Sequence, residues 1–242
     1  MTLRINEIFP TIQGEGSSIG KAVTFLRLSI CNLHCKWCDT PYTWNFSKDG
    51  EEERWGLPTF KKEDEIKEME VVEIVTELMR HPARRLVISG GEPMLQQDAL
   101  TQVMSALLEL DGNWFFEIET NGTIKPSIYF LSLINQINCS PKLESSGNSL
   151  QLRYNPMALI AINTHSNSWF KFVVCDEKDK AEIAYICNEI NIPNEKVYLM
   201  PQGRTKEEQE SLQTKVQEYA QQCGYNFSPR LHILLWGSKR GV

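Results

Sequence analysis

The stretch Val23 to Cys38, VTFLRLSICNLHCKWC, joins a short apolar run to three closely spaced cysteines. The apolar run predicts a β-strand, and Cys31, Cys35 and Cys38 follow at its carboxyl end, where parallel α/β folds hold their sites. A structural zinc site takes four protein ligands, whereas three thiolates on a four-iron cluster leave one iron open. The C-x3-C-x2-C spacing therefore favours a [4Fe-4S] cluster. A zinc site completed by His34 or by a distant cysteine is the alternative.

Downstream of the cysteines, short apolar runs alternate with stretches whose apolar residues recur every three or four positions. The runs predict β-strands and the periodic stretches predict amphipathic helices. Such alternation indicates parallel strands joined by right-handed crossovers. Strands are predicted at 23–29, 85–89, 114–119, 137–139, 169–175, 197–200 and 231–236, and helices at 63–80 and at about 100–108, 127–136, 183–190 and 212–223.

This alternation predicts an α/β fold. About six strand–helix units are present, whereas a closed barrel of this type has eight. We therefore expect an incomplete, TIM-like barrel of about six parallel strands with outer helices. A doubly wound open sheet is the alternative.

Length and composition indicate one globular domain. The chain has 242 residues, of which 41% are hydrophobic and 23% charged, a balance typical of folded proteins. We predict a single domain over residues 1–242 with an insertion at about 46–62, where a charged stretch is broken by Gly and Pro. Residues 143–168 are polar and irregular and are predicted to form a second loop.

Charge and hydropathy argue against several classes of partner. The formal net charge of −6 disfavours a broad phosphate-binding surface, so no nucleic acid is expected. The sequence has no run of 18 or more apolar residues, and Met1–Pro10 lacks the apolar core of a secretory signal, so no membrane contact is expected. Seven cysteines, an odd number and widely spaced outside the motif, predict a reducing, cytoplasmic location.

Two motifs together resemble the radical S-adenosylmethionine (SAM) enzymes. One is the cysteine motif with an aromatic residue, Trp37, before its last cysteine, and the other is Ser89–Pro93 (SGGEP) after the second predicted strand. Glycines there let the backbone approach the methionine part of the cofactor, and an acidic group or a carbonyl can bind its ammonium. The resemblance implies that the open iron binds SAM and that one electron from the cluster releases a 5′-deoxyadenosyl radical.

The same resemblance implies which residues hold the cofactor. Contacts to SAM are implied for Trp37, Cys38, Asp39, Gly91, Ser140, Pro141 and Lys142. The first three would contact the adenine side, Gly91 the methionine end, and the Ser-Pro-Lys segment would complete the site. A surface position is the alternative for Lys142. Glu119 ends a strand on the same face and could reach the cofactor, but it is expected to be solvated.

Further motifs resemble one family within this superfamily. They are Ile5–Gly16 (INEIFPTIQGEG), Cys38-Asp39-Thr40, Glu119–Gly122 (ETNG), Ser140–Lys142 (SPK) and Leu199–Gly203 (LMPQG), and together they cover most of the chain. This set is similar to that of the 7-carboxy-7-deazaguanine synthases, which make the deazapurine core on the route to queuosine. The resemblance implies ring contraction of 6-carboxy-5,6,7,8-tetrahydropterin with loss of ammonia, and no dedicated acid or base.

Roles for single residues follow from this resemblance. The substrate-binding residues would be Ile12, Gln13, Gly14, Arg27 and Ser89, and Thr40 would be the protein ligand of a Mg²⁺ ion beside the cluster. The substrate carboxylate would bind Arg27, because an arginine facing a barrel interior is costly to bury unpaired. An outward, solvent-facing side chain is the alternative for Arg27, and Glu15 would either pair with this arginine or touch the substrate. The backbone of residues 12–14 would contact the pterin ring, and the Ser89 hydroxyl would add a hydrogen bond.

Partners are implied by the same chemistry. A flavodoxin or ferredoxin would supply the electron, and the family suggests a homodimer. Three other functions share parts of the pattern: an activase that installs a glycyl radical on a partner protein, a radical enzyme for another heterocycle, and a zinc module without catalysis. His81, His165 and His232 have no motif around them and are expected to be structural or exposed. Residues Leu234–Val242 would either fold into the active site or end the last strand.

Overall fold

The structure, a computed structural model, describes residues 1–47 and 54–242. Nine strands form one sheet within this part of the chain. They are β1 (Thr2–Ile12), β2 (Ala22–Leu28), β3 (Lys67–Glu70), β4 (Arg85–Gly90), β5 (Phe115–Thr120), β6 (Gln136–Cys139), β7 (Ser168–Val174), β8 (Val197–Pro201) and β9 (Asn226–Phe227). The helices are α1 (Lys62–Glu65), α2 (Val71–Met79), α3 (Gln97–Leu110), α4 (Ile128–Leu133), α5 (Leu150–Arg153), α6 (Pro156–Asn163), α7 (Asp179–Ile190), α8 (Lys206–Cys223) and α9 (Leu231–Trp236).

The strands lie in the order β3-β1-β2-β4-β5-β6-β7-β8-β9. Every neighbouring pair from β2 to β9 is parallel, whereas β1 is antiparallel to both β2 and β3. The two ends of this order, β3 and β9, are not neighbours of each other, so the sheet is open. The prediction of an α/β fold with an incomplete barrel of parallel strands is therefore confirmed, and the two-residue β9 adds to the predicted strands at one edge.

Strands β1 and β3 were not predicted from the sequence. The predicted helix over 63–80 is instead α1, β3 and α2, and Ile66 between α1 and β3 is extended, with φ −119° and ψ 114°. Strand β3 pairs with the first residues of β1, and this pairing outweighs the helix propensity of four residues. Helix α2 then begins at a capping box, in which the side chains of Glu70 and Glu73 accept backbone N–H groups.

The last predicted strand, 231–236, is wrong, because these residues form α9. A short apolar run is compatible with a strand or with a helix, and the surroundings decide between them. The edge of the sheet beyond β8 is occupied by β9, and the Leu231 N–H donates to the Gly14 carbonyl oxygen at 2.9 Å. Helix α9 therefore connects the β9 edge of the open sheet with the chain that follows β1.

The loop predicted at 143–168 contains two helices, α5 and α6. The Asn155 side chain caps α6 by accepting a hydrogen bond from the Ala158 N–H, and Pro156 occupies the first turn. An asparagine followed by proline before an apolar stretch is a helix-start signal, so the sequence did contain this information. Of the insertion predicted at 46–62, residues 48–53 lie outside the described residues.

The hydrophobic core lies between the sheet and the outer helices. Leu26 on β2, Phe116 on β5 and Phe170 on β7 are fully buried and belong to one cluster with Leu78 of α2 and Leu107 of α3. Burial of these side chains stabilises the layers against each other. In the described part of the chain, none of the helices has the length and hydropathy that a membrane span requires.

Candidate active site

A cavity of about 280 Å³ opens where the parallel strands end. Residues of β1, β2, β4, β5, β7 and β8 line it, together with the segments that follow β2, β4 and β6. Every residue predicted for the site lines this cavity except Pro141, which is buried between Ser140 and Lys142. The structure thus brings together residues that the sequence separates by more than a hundred positions, while their individual roles remain predictions.

The three cysteines of the motif lie on one wall of the cavity. Within the described residues, no three His, Cys, Asp or Glu side chains are close enough together to hold a single metal ion. His34, the alternative zinc ligand, stacks on Trp44 with ring centroids 4.5 Å apart. The grouping of the three cysteines on this wall is what the predicted [4Fe-4S] cluster requires.

Burial raises the pKa of all three thiols, that of Cys35 to about 11. Negative charge on neighbouring groups, Asp39 and the other cysteines among them, opposes ionisation further. The free thiols are therefore protonated at neutral pH. Because iron binds thiolates, loading of the site releases their protons.

The glycines of the SGGEP motif are required by the packing of β4 against β2. A Cβ atom on Gly91 would lie 2.0 Å from the carbonyl oxygen of Ile30, and one on Gly90 would lie 2.1 Å from that of Leu28. Gly90 also has a φ of +123°, which side chains disfavour. The backbone of this loop therefore packs directly against the backbone of the cysteine segment, with no space for a side chain between them.

Glu92 of the same motif is a structural residue. It is fully buried and accepts hydrogen bonds from the Thr120 hydroxyl at 2.8 Å, the Asn121 N–H at 2.7 Å and the Met94 N–H at 3.0 Å. These bonds fix the loop after β5 to the loop after β4. An acidic side chain and a carbonyl were the two groups considered for binding the cofactor ammonium. The Glu92 carboxylate is already occupied by hydrogen bonds within the protein.

A chain of ion pairs forms the floor of the cavity. The Lys171 Nζ atom lies 2.5 Å from Glu119 and 3.1 Å from Glu15. The other oxygen of Glu15 accepts a hydrogen bond from Arg230 Nε at 2.9 Å, and Arg230 also pairs with Asp39. Lys171 is only 2% exposed at its side chain, so its charge is compensated almost entirely by these carboxylates.

The carboxylates of this floor have different pKa values. Burial raises the pKa of Glu119 to about 7; attraction to Lys171 opposes this rise, and repulsion from Glu117 and Glu15 adds to it. Burial would also raise the pKa values of Glu15 and Asp39, but the cations around them, Arg230 among these, hold both well below their usual range. Glu119 is therefore the carboxyl that gains or loses a proton near neutral pH.

Two buried amides connect Glu119 with a second carboxylate, Glu117. Gln13 Nε2 donates to Glu117 at 2.9 Å and to Glu119 at 3.1 Å, and Asn138 Nδ2 donates to the same two groups at 2.6 and 2.9 Å. Glu117 in turn pairs with Arg85 at 2.7 Å. The expectation that Glu119 is merely solvated was wrong, because it is one end of this buried network.

Arg27 lies in the cavity, but its partner is Glu7 and not Glu15. The Nε atom donates to Glu7 at 2.7 Å, and the guanidinium lies 5.7 and 5.6 Å from the ring centroids of Phe9 and Phe25. Within the described residues, the two terminal NH₂ groups have no acceptor. The suggested pairing with Glu15 was wrong because β1 and β2 place Glu7 opposite Arg27.

The backbone predicted to contact the substrate is already hydrogen-bonded. The Gln13 N–H donates to Lys21 and its carbonyl accepts from Gly20, while the Gly14 N–H donates to the Gln13 side chain. The Gly14 carbonyl accepts from Leu231. This segment therefore presents its side chains and the second lone pairs of its carbonyl oxygens to a ligand.

The remaining predicted residues take definite positions. The Lys142 Nζ atom donates to the Ser140 hydroxyl at 2.8 Å and lies 5.6 Å from the Trp37 ring centroid, so the surface alternative for this lysine is wrong. His232 lines the cavity 3.9 Å from Asp39 with its side chain 32% exposed, and its structural or exposed role stays a prediction. The C-terminal residues Gly237–Val242 also line it, which selects the first of the two alternatives for the tail.

Sequence reasoning missed Lys171 and Arg230, the two cations of the floor. Lys171 occurs within an otherwise apolar strand, WFKFVV, in a position that β7 buries. A charged residue inside such a run is a signal, because burying it unpaired is costly. Arg230 immediately precedes the run that was predicted as a strand, and nothing in its local sequence marks it.

We expect Glu119 to titrate near pH 7. In infrared difference spectra, a protonated carboxyl band will disappear as the pH rises through about 7, and Glu119→Gln will lack it. The unfolded chain holds this group near its ordinary pKa of 4.5, so the folded state binds the extra proton between the two values. Its stability contribution therefore falls as the pH rises through this window. Glu218→Gln, on the exposed face of α8, serves as the control, and the assignment fails if the band that Glu119→Gln removes titrates near 4.5 and not near 7.

Comparison with known proteins places these features in context. Residues 27–131 match the family model of the Radical SAM superfamily. The chain is 31% identical over 240 residues to 7-carboxy-7-deazaguanine synthase of Pyrobaculum aerophilum, covering 99% of this chain and 97% of that protein. It is 31% identical to the protein of the same name from Bacillus subtilis, covering 98% of this chain and 97% of that one.

Solved structures share the fold. The crystal structure of QueE from Escherichia coli has a TM-score of 0.69 at 24% identity and covers 96% of this chain and 95% of that one. That of Streptococcus suis SuiB bound to S-adenosylmethionine has a TM-score of 0.52 at 15% identity, with 86% of this chain and 49% of that one covered. At these identities the likeness concerns the fold alone.

Proposed function

This chain belongs to the 7-carboxy-7-deazaguanine synthase family of radical SAM enzymes, and from that premise we propose that it converts 6-carboxy-5,6,7,8-tetrahydropterin to 7-carboxy-7-deazaguanine with loss of ammonia. The observation that carries the proposal is that the three cysteines, the SGGEP loop and Arg27 line one cavity. A cluster site, a cofactor loop and a cation for a substrate carboxylate are thus within reach of each other.

The three thiols would hold a [4Fe-4S] cluster, and the cluster with SAM supplies one-electron chemistry when bound. Gly91 and the Ser140–Lys142 segment would hold the methionine portion of SAM, and residues Trp37–Asp39 its adenine side. The Lys142 side chain lies between Ser140 and Trp37, where a lysine suits a carboxylate. The protein's work is to orient both ligands and to exclude water from them.

The substrate would lie over the charged floor. A pterin presents N–H donors on its pyrimidine edge and a carboxylate on the other side. Glu119 and Glu15 offer acceptors for the former, and the NH₂ groups of Arg27 offer donors for the latter. Phe9 and Phe25, which stack with ring centroids 5.6 Å apart, keep the arginine in a partly apolar setting that strengthens this interaction.

Mg²⁺ is proposed as an additional ligand of the site, held by Thr40. This residue lines the cavity, and its hydroxyl lies 3.7 Å from the Cys38 sulfur. A hydroxyl oxygen together with waters and substrate oxygens suits the hydrated, octahedral shell of Mg²⁺. The ion would then join the substrate carboxylate to the wall that carries the cysteines.

A flavodoxin or ferredoxin is proposed as the electron donor, and a homodimer as the assembly. The chemistry requires a one-electron reductant of low potential. The seven cysteines, all free thiols in this structure, support the cytoplasm as the location. A single domain over residues 1–242 with an insertion at about 46–62 is proposed as the organisation of the chain.

The proposal is tested by anaerobic reconstitution of the cluster, followed by SAM, a reductant, Mg²⁺ and 6-carboxytetrahydropterin, with mass spectrometry of the products. We expect 7-carboxy-7-deazaguanine and ammonia. Release of 5′-deoxyadenosine without the deazapurine would leave the radical chemistry intact and would refute the substrate. A protein that binds neither iron nor SAM would refute both.

Replacing Arg27 with glutamine should weaken the substrate complex. The lost charge-assisted hydrogen bond corresponds to a ten- to hundredfold fall in kcat/KM for the carboxylated pterin, at about 1.5–3 kcal/mol. Arg27→Lys keeps the charge and should recover part of this loss. Arg84→Gln, which breaks a pair with Asp111 away from the cavity, is the control. An unchanged KM in Arg27→Gln would show that the carboxylate binds elsewhere.

A further inference from the structure

Each of the three motif sulfurs accepts a hydrogen bond from an N–H group. The donor to Cys31 is the backbone of Leu33, at 3.5 Å from the sulfur. The other two donors are side chains from outside the C-x3-C-x2-C stretch. Asn148 Nδ2 lies 3.3 Å from the Cys35 sulfur, and Trp44 Nε1 lies 3.2 Å from the Cys38 sulfur.

The orientation of the Asn148 amide is fixed by its other contacts. Its Oδ1 atom accepts a hydrogen bond from the His34 N–H at 2.9 Å, so the NH₂ group must point the other way, toward Cys35. The Ser146 hydroxyl accepts a second hydrogen bond from this NH₂ group at 3.1 Å. A rotation of the amide by half a turn would place its oxygen against sulfur and its NH₂ against an N–H donor.

Trp44 is fixed by packing. It is 8% exposed, and its indole stacks on the His34 ring at an interplanar angle of 15°. The backbone N–H of Trp44 donates to the Pro41 carbonyl oxygen at 3.1 Å, which holds the residue against the 3₁₀ turn Pro41–Thr43. Because an indole N–H can only donate, the Cys38 sulfur must be the acceptor.

We propose that Asn148 and Trp44 are positioning residues that set the reduction potential of the cluster through N–H···S hydrogen bonds to Cys35 and Cys38. This inference rests on the proposed function, since it presumes that the three thiolates ligate iron. Hydrogen bonds to ligand sulfurs stabilise negative charge, and the reduced cluster carries one negative charge more than the oxidised cluster. Removing either bond should therefore make reduction less favourable.

The two donors come from different parts of the fold. Trp44 follows the cysteine segment closely in sequence, whereas Asn148 comes from the segment after β6, more than a hundred residues away. That second segment begins with Ser140 and Lys142, which line the same cavity. One loop thus contacts both the cofactor region and a ligand of the cluster.

The test uses Trp44→Phe and Asn148→Asp in the reconstituted protein. Phenylalanine keeps a ring to stack on His34 and loses only the N–H donor without a change of charge, so Trp44→Phe is the decisive variant. Aspartate keeps the acceptor for the His34 N–H and loses the NH₂ group, but it also places a negative charge beside Cys35. Trp114→Phe removes an indole N–H that lacks a partner in the described structure. Asn163→Asp adds the same charge near the end of α6, outside the cavity. These two variants are the matched controls.

Iron content and the midpoint potential, from a redox titration followed by electron paramagnetic resonance, are the readouts. We expect both test variants to hold wild-type iron and to show an equilibrium constant for reduction about tenfold lower, which is 59 mV for one electron. The controls should retain the wild-type potential. Unshifted potentials at full iron content would overturn the inference, and so would loss of iron from both test variants, which would show a purely structural role. A wild-type protein without iron would instead refute the proposed function.

Discussion

Replacing Cys35 with alanine will abolish both the cluster and product formation. Three thiolates are the minimum that holds a four-iron cluster with one open iron, and Cys35 supplies the middle one of the motif. The remaining two thiols cannot fix the cluster in an orientation that leaves an iron open toward the cavity. The reconstituted variant should lack the brown colour and the broad visible absorption of the wild type, and no deazapurine should be detected by mass spectrometry.

Cys223→Ala is the matched control for this loss. Cys223 is the last residue of α8 and does not line the cavity, so its replacement should leave iron content and activity at wild-type levels. Circular dichroism should show that both variants keep the α/β fold, because the core lies away from the cysteine wall. A Cys35→Ala protein that retains wild-type iron and forms product would contradict the assignment of the three ligands.

Replacing Lys171 with methionine will destabilise the protein by about 3–5 kcal/mol, the cost of removing one partner of a buried pair. Methionine fills much of the same volume, but Glu15 and Glu119, each 17% exposed at the side chain, lose the cation between them. Arg230 still pairs with Glu15, so Glu119 carries most of the loss. Urea unfolding of the metal-free protein, followed by tryptophan fluorescence, measures the change.

The pH dependence of this loss identifies the carboxylate that causes it. Because burial raises the pKa of Glu119 to about 7, the group can take up a proton when its cation is removed. The cost of Lys171→Met should therefore be smaller at pH 6 than at pH 8. The double variant Lys171→Met, Glu119→Gln should be less destabilised at pH 8 than the single one.

Lys180→Met is the control for the charge removed. Lys180 pairs with Glu177, whose side chain is 74% exposed, and exposed pairs contribute less than about 1 kcal/mol. If Lys171→Met cost no more than Lys180→Met, the floor of the cavity would be solvated and the account of Glu119 would fail.

The local part of the site could be predicted because its residues are close together in sequence. The three cysteines span eight positions, and the SGGEP motif lies at the end of a strand. Parallel strands place such segments at one edge of a sheet, so the position of each motif after a strand indicated where the site would lie. The sequence predicted only part of the reason for Gly90 and Gly91. Besides the approach to a cofactor, the backbone atoms of Leu28 and Ile30 leave no space for a Cβ atom at these two positions.

Other features depended on contacts that no local pattern reveals. The run at 231–236 forms a helix because β9 takes the sheet edge and Leu231 bonds to Gly14. Likewise, Arg27 pairs with Glu7 because the antiparallel register of β1 and β2 places them side by side. In both cases a contact between parts of the chain that are distant in sequence decides the outcome, and the local sequence does not.

The sequence by itself determined the alternation of strands and helices, the three cysteines and the family to which the chain belongs. These features are local, because hydrophobic periodicity and motif spacing act over a few residues. The tertiary structure alone decided the ion pairs of the floor, in which Glu15 meets Lys171 and Arg230 across 156 and 215 positions of sequence. Charges buried in this way are stable only when the fold brings their partners to them, so their arrangement is a property of the packed chain.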